Sequence, residues 1–271
     1  MKRVGIGIMT LMLGVFLLAG CGKAASSSKN VQPEKMVVAV KAQAKSNKDS
    51  KSNKNGSKER KSTKKDEYDY GKPVPKCKQV KLSYFSDALF IGDSRTVGFV
   101  QSVKMPGART YSKVGNAVNT TLSMTVKAKD GQQKLMLNAL KDESYKKVYL
   151  NFGLNETGWA YKKKFVEAYV RLIKNVKKYQ PDAVIYVQSI YPVSKKVSDN
   201  HDYMTNKRIR EYNKALQKMA KKQKVYFVDV AAAVKNKNGD LPSKAAKDGV
   251  HVRKKYCQKM LRYLRRHAVK K

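Results

Sequence analysis

The chain has 271 residues, 41% of them apolar, which is enough for one medium-sized domain with a real core and too few for two. Its 59 Lys and Arg against 20 Asp and Glu give a formal net charge of +39, so it attracts polyanions and repels cations. Its three cysteines lack CxxC spacing and its three histidines form no cluster, so the sequence supports no metal site and no cofactor is expected.

Lys2 and Arg3 precede an apolar run from Val4 to Leu18 that is short for a bilayer span, the pattern of a signal peptide over residues 1–20. It ends in Leu18-Ala19-Gly20-Cys21, which resembles a bacterial lipobox. That resemblance implies a diacylglyceryl anchor on Cys21, with roughly 0.8 kcal/mol of membrane affinity per buried methylene. The expectation is an exported protein, held by lipid on the extracytoplasmic face of a bacterial cell membrane. Export, and lysines without a recognition motif, argue against nucleic acid as a partner.

Residues 21–75 are mostly Lys, Ser, Asn and Ala, with the near-repeat Lys45-Ser46-Asn47-Lys48 and Lys51-Ser52-Asn53-Lys54. So few large apolar side chains cannot offset the entropy of ordering, and the stretch reads as a disordered tether. As a flexible coil of about 54 residues it reaches roughly 40 Å. Its lysines either serve solvation or draw the protein to anionic lipid or wall polymer. With Cys21 acylated, Cys77 and Cys257 remain as one pair flanking the domain of residues 76–271, and they would staple its ends if their Cα atoms come within bridging range.

Within that domain, Ala88–Ile91, Val148–Phe152, Val184–Val187 and Val225–Val228 are short runs rich in Val, Ile, Tyr and Phe, the mark of strands buried on both faces. A further short strand is expected near Tyr111. Phe165, Tyr169, Leu172, Ile173 and Val176 fall at helical spacing opposite a lysine face, and a second amphipathic helix is expected from about Tyr203 to Lys222. The alternation predicts a three-layer α/β/α sandwich around a parallel sheet of about five strands, with its ligand site beyond the strands' carboxyl ends.

The chemistry-bearing residues fall at those ends. Gly92-Asp93-Ser94-Arg95 follows the first strand, so Ser94 sits at a turn into a helix, where its hydroxyl is exposed and its own amide favours negative charge. Such a serine is either a nucleophile or a helix cap. A nucleophile needs a base, and His267 lies in a basic tail and His201 in a polar loop, whereas His251 follows Asp248 by three residues, within reach of a carboxylate that would fix its tautomer. Gly153-Leu154-Asn155-Glu156 and the isolated Gly115 follow other strands and offer donors for an oxyanion.

The ordered set Gly-Asp-Ser, Gly, Gly-x-Asn and Asp-x-x-His, spanning Asp87 to His251, resembles the SGNH or GDSL-type hydrolases. The resemblance implies a flavodoxin-like sandwich, with Ser94 as nucleophile, His251 as general base, Asp248 as its orienting acid, and the Ser94 amide, Gly115 amide and Asn155 side chain as oxyanion hole. It also implies hydrolysis of esters, thioesters or carbohydrate O-acyl groups. The first block continues Ser-Arg-Thr instead of Ser-Leu, and Glu156 stands where the family often has Asp. No Gly-x-Ser-x-Gly elbow surrounds Ser94, which argues against the α/β-hydrolase fold.

Trp159, Tyr161 and Tyr191, near strand ends, are candidates for a sugar-stacking platform. Export, anchoring and positive charge point to removal of an acetyl or short acyl group from an envelope glycan or wall polymer. Two other readings remain open: an acyltransferase using the same triad, and a non-catalytic basic lipoprotein that binds wall polymer.

Overall fold

The computed structural model describes residues 68–270. In chain order these form β1 (Ala88–Gly92), α1 (Ser94–Ser102), β2 (Arg109–Ser112), β3 (Thr125–Lys127), β4 (Gln133–Leu135), α2 (Met136–Asp142), β5 (Lys147–Asn151), α3 (Lys162–Tyr179), β6 (Val184–Gln188), α4 (Lys195–Asn200), α5 (Asn206–Gln223), β7 (Tyr226–Val228) and α6 (Lys254–Leu264). Five strands pair in parallel in the order β2-β1-β5-β6-β7, and β3 and β4 form a separate antiparallel pair. The predicted class holds: a five-stranded parallel sheet covered on both faces.

Strand periodicity sorts the core into two layers. Leu89, Ile91, Val148, Leu150, Ile185 and Val187 face α2, α3 and α5, while Phe90, Tyr149 and Tyr186 face α1 and α6. The latter three occupy the same register on neighbouring strands and stack, with ring centroids 4.7 and 4.5 Å apart and planes within 7° and 5°. Each such pair adds about 1 kcal/mol beyond the area it buries. Every position of β1 and β6 is buried, which is why both read as unbroken apolar runs.

The predicted stripe Phe165, Tyr169, Leu172, Ile173 and Val176 is the buried face of α3. α5 starts at Asn206, later than the sequence suggests, because the Thr205 side chain accepts from the Arg208 N–H and caps the helix there. Among the described residues no helix is long and apolar enough to cross a membrane.

Two expectations are corrected. The sequence predicts a tether to residue 75, but residues 68–75 belong to the fold. Val74 is buried and its N–H donates to the Phe227 carbonyl, while Tyr68 and Tyr70 pack on Tyr226, covering the edge strand β7. The rest of the expected tether, the expected signal peptide and Cys21 lie outside the described residues.

Nor do Cys77 and Cys257 pair; both are free. The Cys77 N–H donates to the Arg266 carbonyl beyond the end of α6, whereas Cys257 lies in that helix's first turn against the Gly98 carbonyl. The helix between them spans roughly 13 Å at 1.5 Å per residue, about twice the Cα separation a disulfide tolerates.

Candidate active site

β2 and β5 flank β1 on opposite sides, so the chain runs outward from β1 to the edge strand β2 and then back past β1 to β5, and the strand order reverses there. Loops leaving the carboxyl ends of β1 and β5 therefore flank the crevice where such sheets hold ligands. Gly92 ends β1, and no larger residue fits: a Cβ there would lie 2.0 Å from Thr96 Oγ1 and 2.6 Å from the Asn151 carbonyl. Asp93, buried and extended, then caps α1 by accepting from the Arg95 N–H. Capping thus falls to Asp93, and the Ser94 hydroxyl is left for other chemistry.

That hydroxyl lies 2.9 Å from His251 Nε2. On the far side of the ring, His251 Nδ1 is 2.6 Å from Asp248 Oδ2, while Asp248 Oδ1 accepts the backbone N–H groups of Val250 and His251. Partial burial pushes the Asp248 carboxyl up, but those N–H groups and the imidazole more than offset it and hold it at about 2. Ser94, His251 and Asp248 thus form one continuous relay, with the His251 and Asp248 side chains each about half exposed.

The remaining predicted residues lie on adjacent loops. Ser94 opens α1, so its N–H faces the end of the helix unbonded within the helix. Gly115 follows β2 with φ +72°, a conformation that favours glycine, and nothing crowds its Cβ position. Asn155 donates from Nδ2 to the Asn116 carbonyl at 2.9 Å, and Asn116 Nδ2 reaches the Gly92 carbonyl at 3.4 Å. These bonds tie the loops after β1, β2 and β5 together. A cleft of about 260 Å³ beside them is bordered by Lys113, Gly115, Asn116, Thr120 and Met124.

The family model of GDSL-like lipases and acylhydrolases matches residues 90–255, from two residues before Gly92 to four past His251. The chain belongs to the GDSL-like lipase/acylhydrolase family. Among solved structures this serine hydrolase is similar to a Streptococcus pneumonia protein described as a platelet activating factor, at TM-score 0.53 and 21% identity over 68% of this chain and 87% of that one. It is also similar to a GDSL-like lipase from Bacteroides thetaiotaomicron, at 0.50 and 18% over 66% and 85%. The periplasmic domain of a lipopolysaccharide acetyltransferase from Salmonella ser. Paratyphi A matches at 0.50 and 18% over 66% and 82%. No curated protein matches the sequence significantly.

The hydrolase's departures from the family pattern now have structural meanings. Glu156 is wholly buried, and its Oε1 accepts from the Val118 N–H at 2.7 Å. Burial raises its carboxyl to about 7, and the nearby Asp93 adds to the rise. Arg95 is 3% exposed, donates from Nη1 to the Tyr191 carbonyl at 2.6 Å and lies 3.8 Å from the Tyr191 ring centre. Burial lowers its pKa, while Asp93 and Asp248 counter the fall. The sequence placed Arg95 in plain view beside Ser94 but held no sign of its burial.

The sugar-platform expectation is corrected for Tyr191, which is 1% exposed beneath Arg95 and presents no face to a ligand. Trp159 is half-buried against the core. Tyr161 is exposed among the described residues, as is Tyr203, whose ring packs over Gly158 and meets His201 edge-on at 4.4 Å. Among the described residues no group of three or more His, Cys, Asp or Glu side chains is placed to hold a metal ion.

Proposed function

We propose that the protein is an esterase that removes acetyl or similarly short acyl groups, using Ser94 as nucleophile, His251 as general base and Asp248 as the orienting acid. The observation that carries this reading is the unbroken Ser94–His251–Asp248 relay at the carboxyl edge of the sheet. His251 Nε2 takes the hydroxyl proton as Ser94 Oγ attacks the acyl carbonyl, and Asp248, ionised through the neutral range, stabilises the imidazolium. The Ser94 and Gly115 N–H groups and the second Asn155 Nδ2 hydrogen serve as oxyanion donors. The imidazolium then protonates the leaving alkoxide, and water repeats the sequence on the acyl-serine to release the acid.

A short acyl group suits the small, largely polar cleft at Lys113–Asn116 better than a long alkyl chain does. The lipobox-like Leu18-Ala19-Gly20-Cys21 and the net charge of +39 support an extracytoplasmic, lipid-anchored enzyme whose ester sits on an anionic envelope glycan or wall polymer. The test is hydrolysis of p-nitrophenyl esters of increasing chain length by the wild-type protein and by Ser94→Ala. The reading requires turnover of the acetate, abolished by the substitution and falling with chain length. Activity confined to long-chain esters would overturn it.

A further inference from the structure

A second cleft, of about 720 Å³, adjoins the triad loop, with Asp248 and Gly249 on one wall and α4 with His201 on the other. Its base is built into the fold. The Ser194 N–H donates to the Gly249 carbonyl at 2.8 Å, Ser194 bridges to Leu241, and the Leu241 N–H donates to the Val193 carbonyl at 3.0 Å. Gly249, at φ +76°, leaves no room for a side chain, because a Cβ would lie 2.3 Å from Ser194 Oγ. The wall of this cleft and the loop carrying Asp248 and His251 are therefore one packed unit. From Asp248, Ser94 Oγ is only two hydrogen bonds and one imidazole ring away.

The cleft's polar groups are unevenly committed. Its two carboxylates are occupied: Asp240 accepts from Asn206 at 2.7 Å and Asp248 holds His251. Lys195 pairs with Asp199 outside the cleft lining. Lys196 and Lys247 line it as exposed cations with no ion pair among the described residues, and the exposed Asn238 side chain is likewise uncommitted. His201 Nδ1 accepts the Tyr203 and Met204 N–H groups, which places its proton on Nε2 as a donor. What remains is a set of donors and positive charges, with Tyr203 edge-on behind His201.

From this we infer that the cleft binds a negatively charged saccharide, its carboxylate or phosphate on Lys196 and Lys247 and its hydroxyls on Asn238 and His201. The inference builds on the esterase reading, since it makes this saccharide the part of the substrate that flanks the ester. An uncommitted amide, an imidazole N–H and two unpaired cations suit sugar hydroxyls and an anion, and the Asp248 wall shared with the triad suits a chain whose ester lies close by.

The experiment uses the full chain carrying Ser94→Ala, titrated calorimetrically at near-physiological salt with oligogalacturonate and, separately, with a phosphorylated oligomannose. Lys196→Glu/Lys247→Glu is compared with Lys174→Glu/Lys218→Glu on the solvent faces of α3 and α5, an equal change in charge. Binding of either ligand is expected to weaken at least tenfold in the first pair and less than twofold in the second; the ligand that binds identifies the anion. No binding of either, or equal weakening by the two double variants, overturns the inference. Wild-type turnover of p-nitrophenyl acetate, measured alongside, tests the esterase reading separately, so failure of one is not mistaken for failure of the other.

Discussion

Arg95 Nη1 donates to the Tyr191 carbonyl at 2.6 Å, so the residue after the proposed nucleophile fastens the first turn of α1 to the loop leaving β6. A charged group satisfies that carbonyl inside the core, and its cation lies over the Tyr191 ring. Such a clamp holds Ser94 in place without touching substrate.

Replacing Arg95 with Met keeps the apolar bulk and removes the charged hydrogen bond, a loss of about 2 kcal/mol. Urea unfolding is expected to show a lower midpoint with an unchanged slope. An unchanged midpoint would mean that the buried cation costs as much as it contributes.

Glu156 carries a pH signature. Its folded-state carboxyl is raised to about 7 from an ordinary 4.5, so between those values the folded chain holds a proton that the unfolded chain has released. That contribution is complete below about pH 4.5 and lost as pH rises through 7. Glu156→Gln keeps the acceptor for the Val118 N–H and removes the titration, so it is expected to gain stability relative to wild type by up to about 3 kcal/mol at pH 8 and little at pH 4.5. Denaturant midpoints at the two pH values check this.

Asp248→Asn preserves shape but disfavours the tautomer that presents Nε2 as acceptor to Ser94. A fall in kcat of about 10³–10⁴-fold with KM little changed is the expected steady-state result on p-nitrophenyl acetate. Because Asp248 is held at about 2, its own protonation does not shape the rate profile above pH 4.

Truncation tests the corrected boundary. A chain beginning at Lys76 loses Val74 and the Tyr68 and Tyr70 contacts on Tyr226, whereas one beginning at Glu67 keeps them. Burial of Val74 alone contributes about 2 kcal/mol, so the shorter chain is expected to melt several degrees lower in a thermal scan.

What the sequence revealed followed burial. β1, β5 and β6 read clearly because both their faces are covered, and α3 because its stripe is regular. The β3–β4 pair escaped notice because it is three residues long on each side and mostly exposed. α6 went unread among its lysines and arginines, although Tyr256, Met260 and Leu264 stand at helical spacing. At the site, Ser94, Asp248 and His251 could be named because their chemistry is local to short motifs. Proximity to a strand end does not say which way a ring points, so the burial of Tyr191 is not legible in the sequence, and burial of a carboxylate such as Glu156 leaves no mark in composition.

The most direct test of the relay is labelling with a fluorophosphonate, followed by mass mapping of the modified peptide. The account requires one phosphonate on Ser94, lost in Ser94→Ala and slowed by several orders of magnitude in His251→Ala. A label on another residue, or ester turnover persisting undiminished in Ser94→Ala, would contradict it.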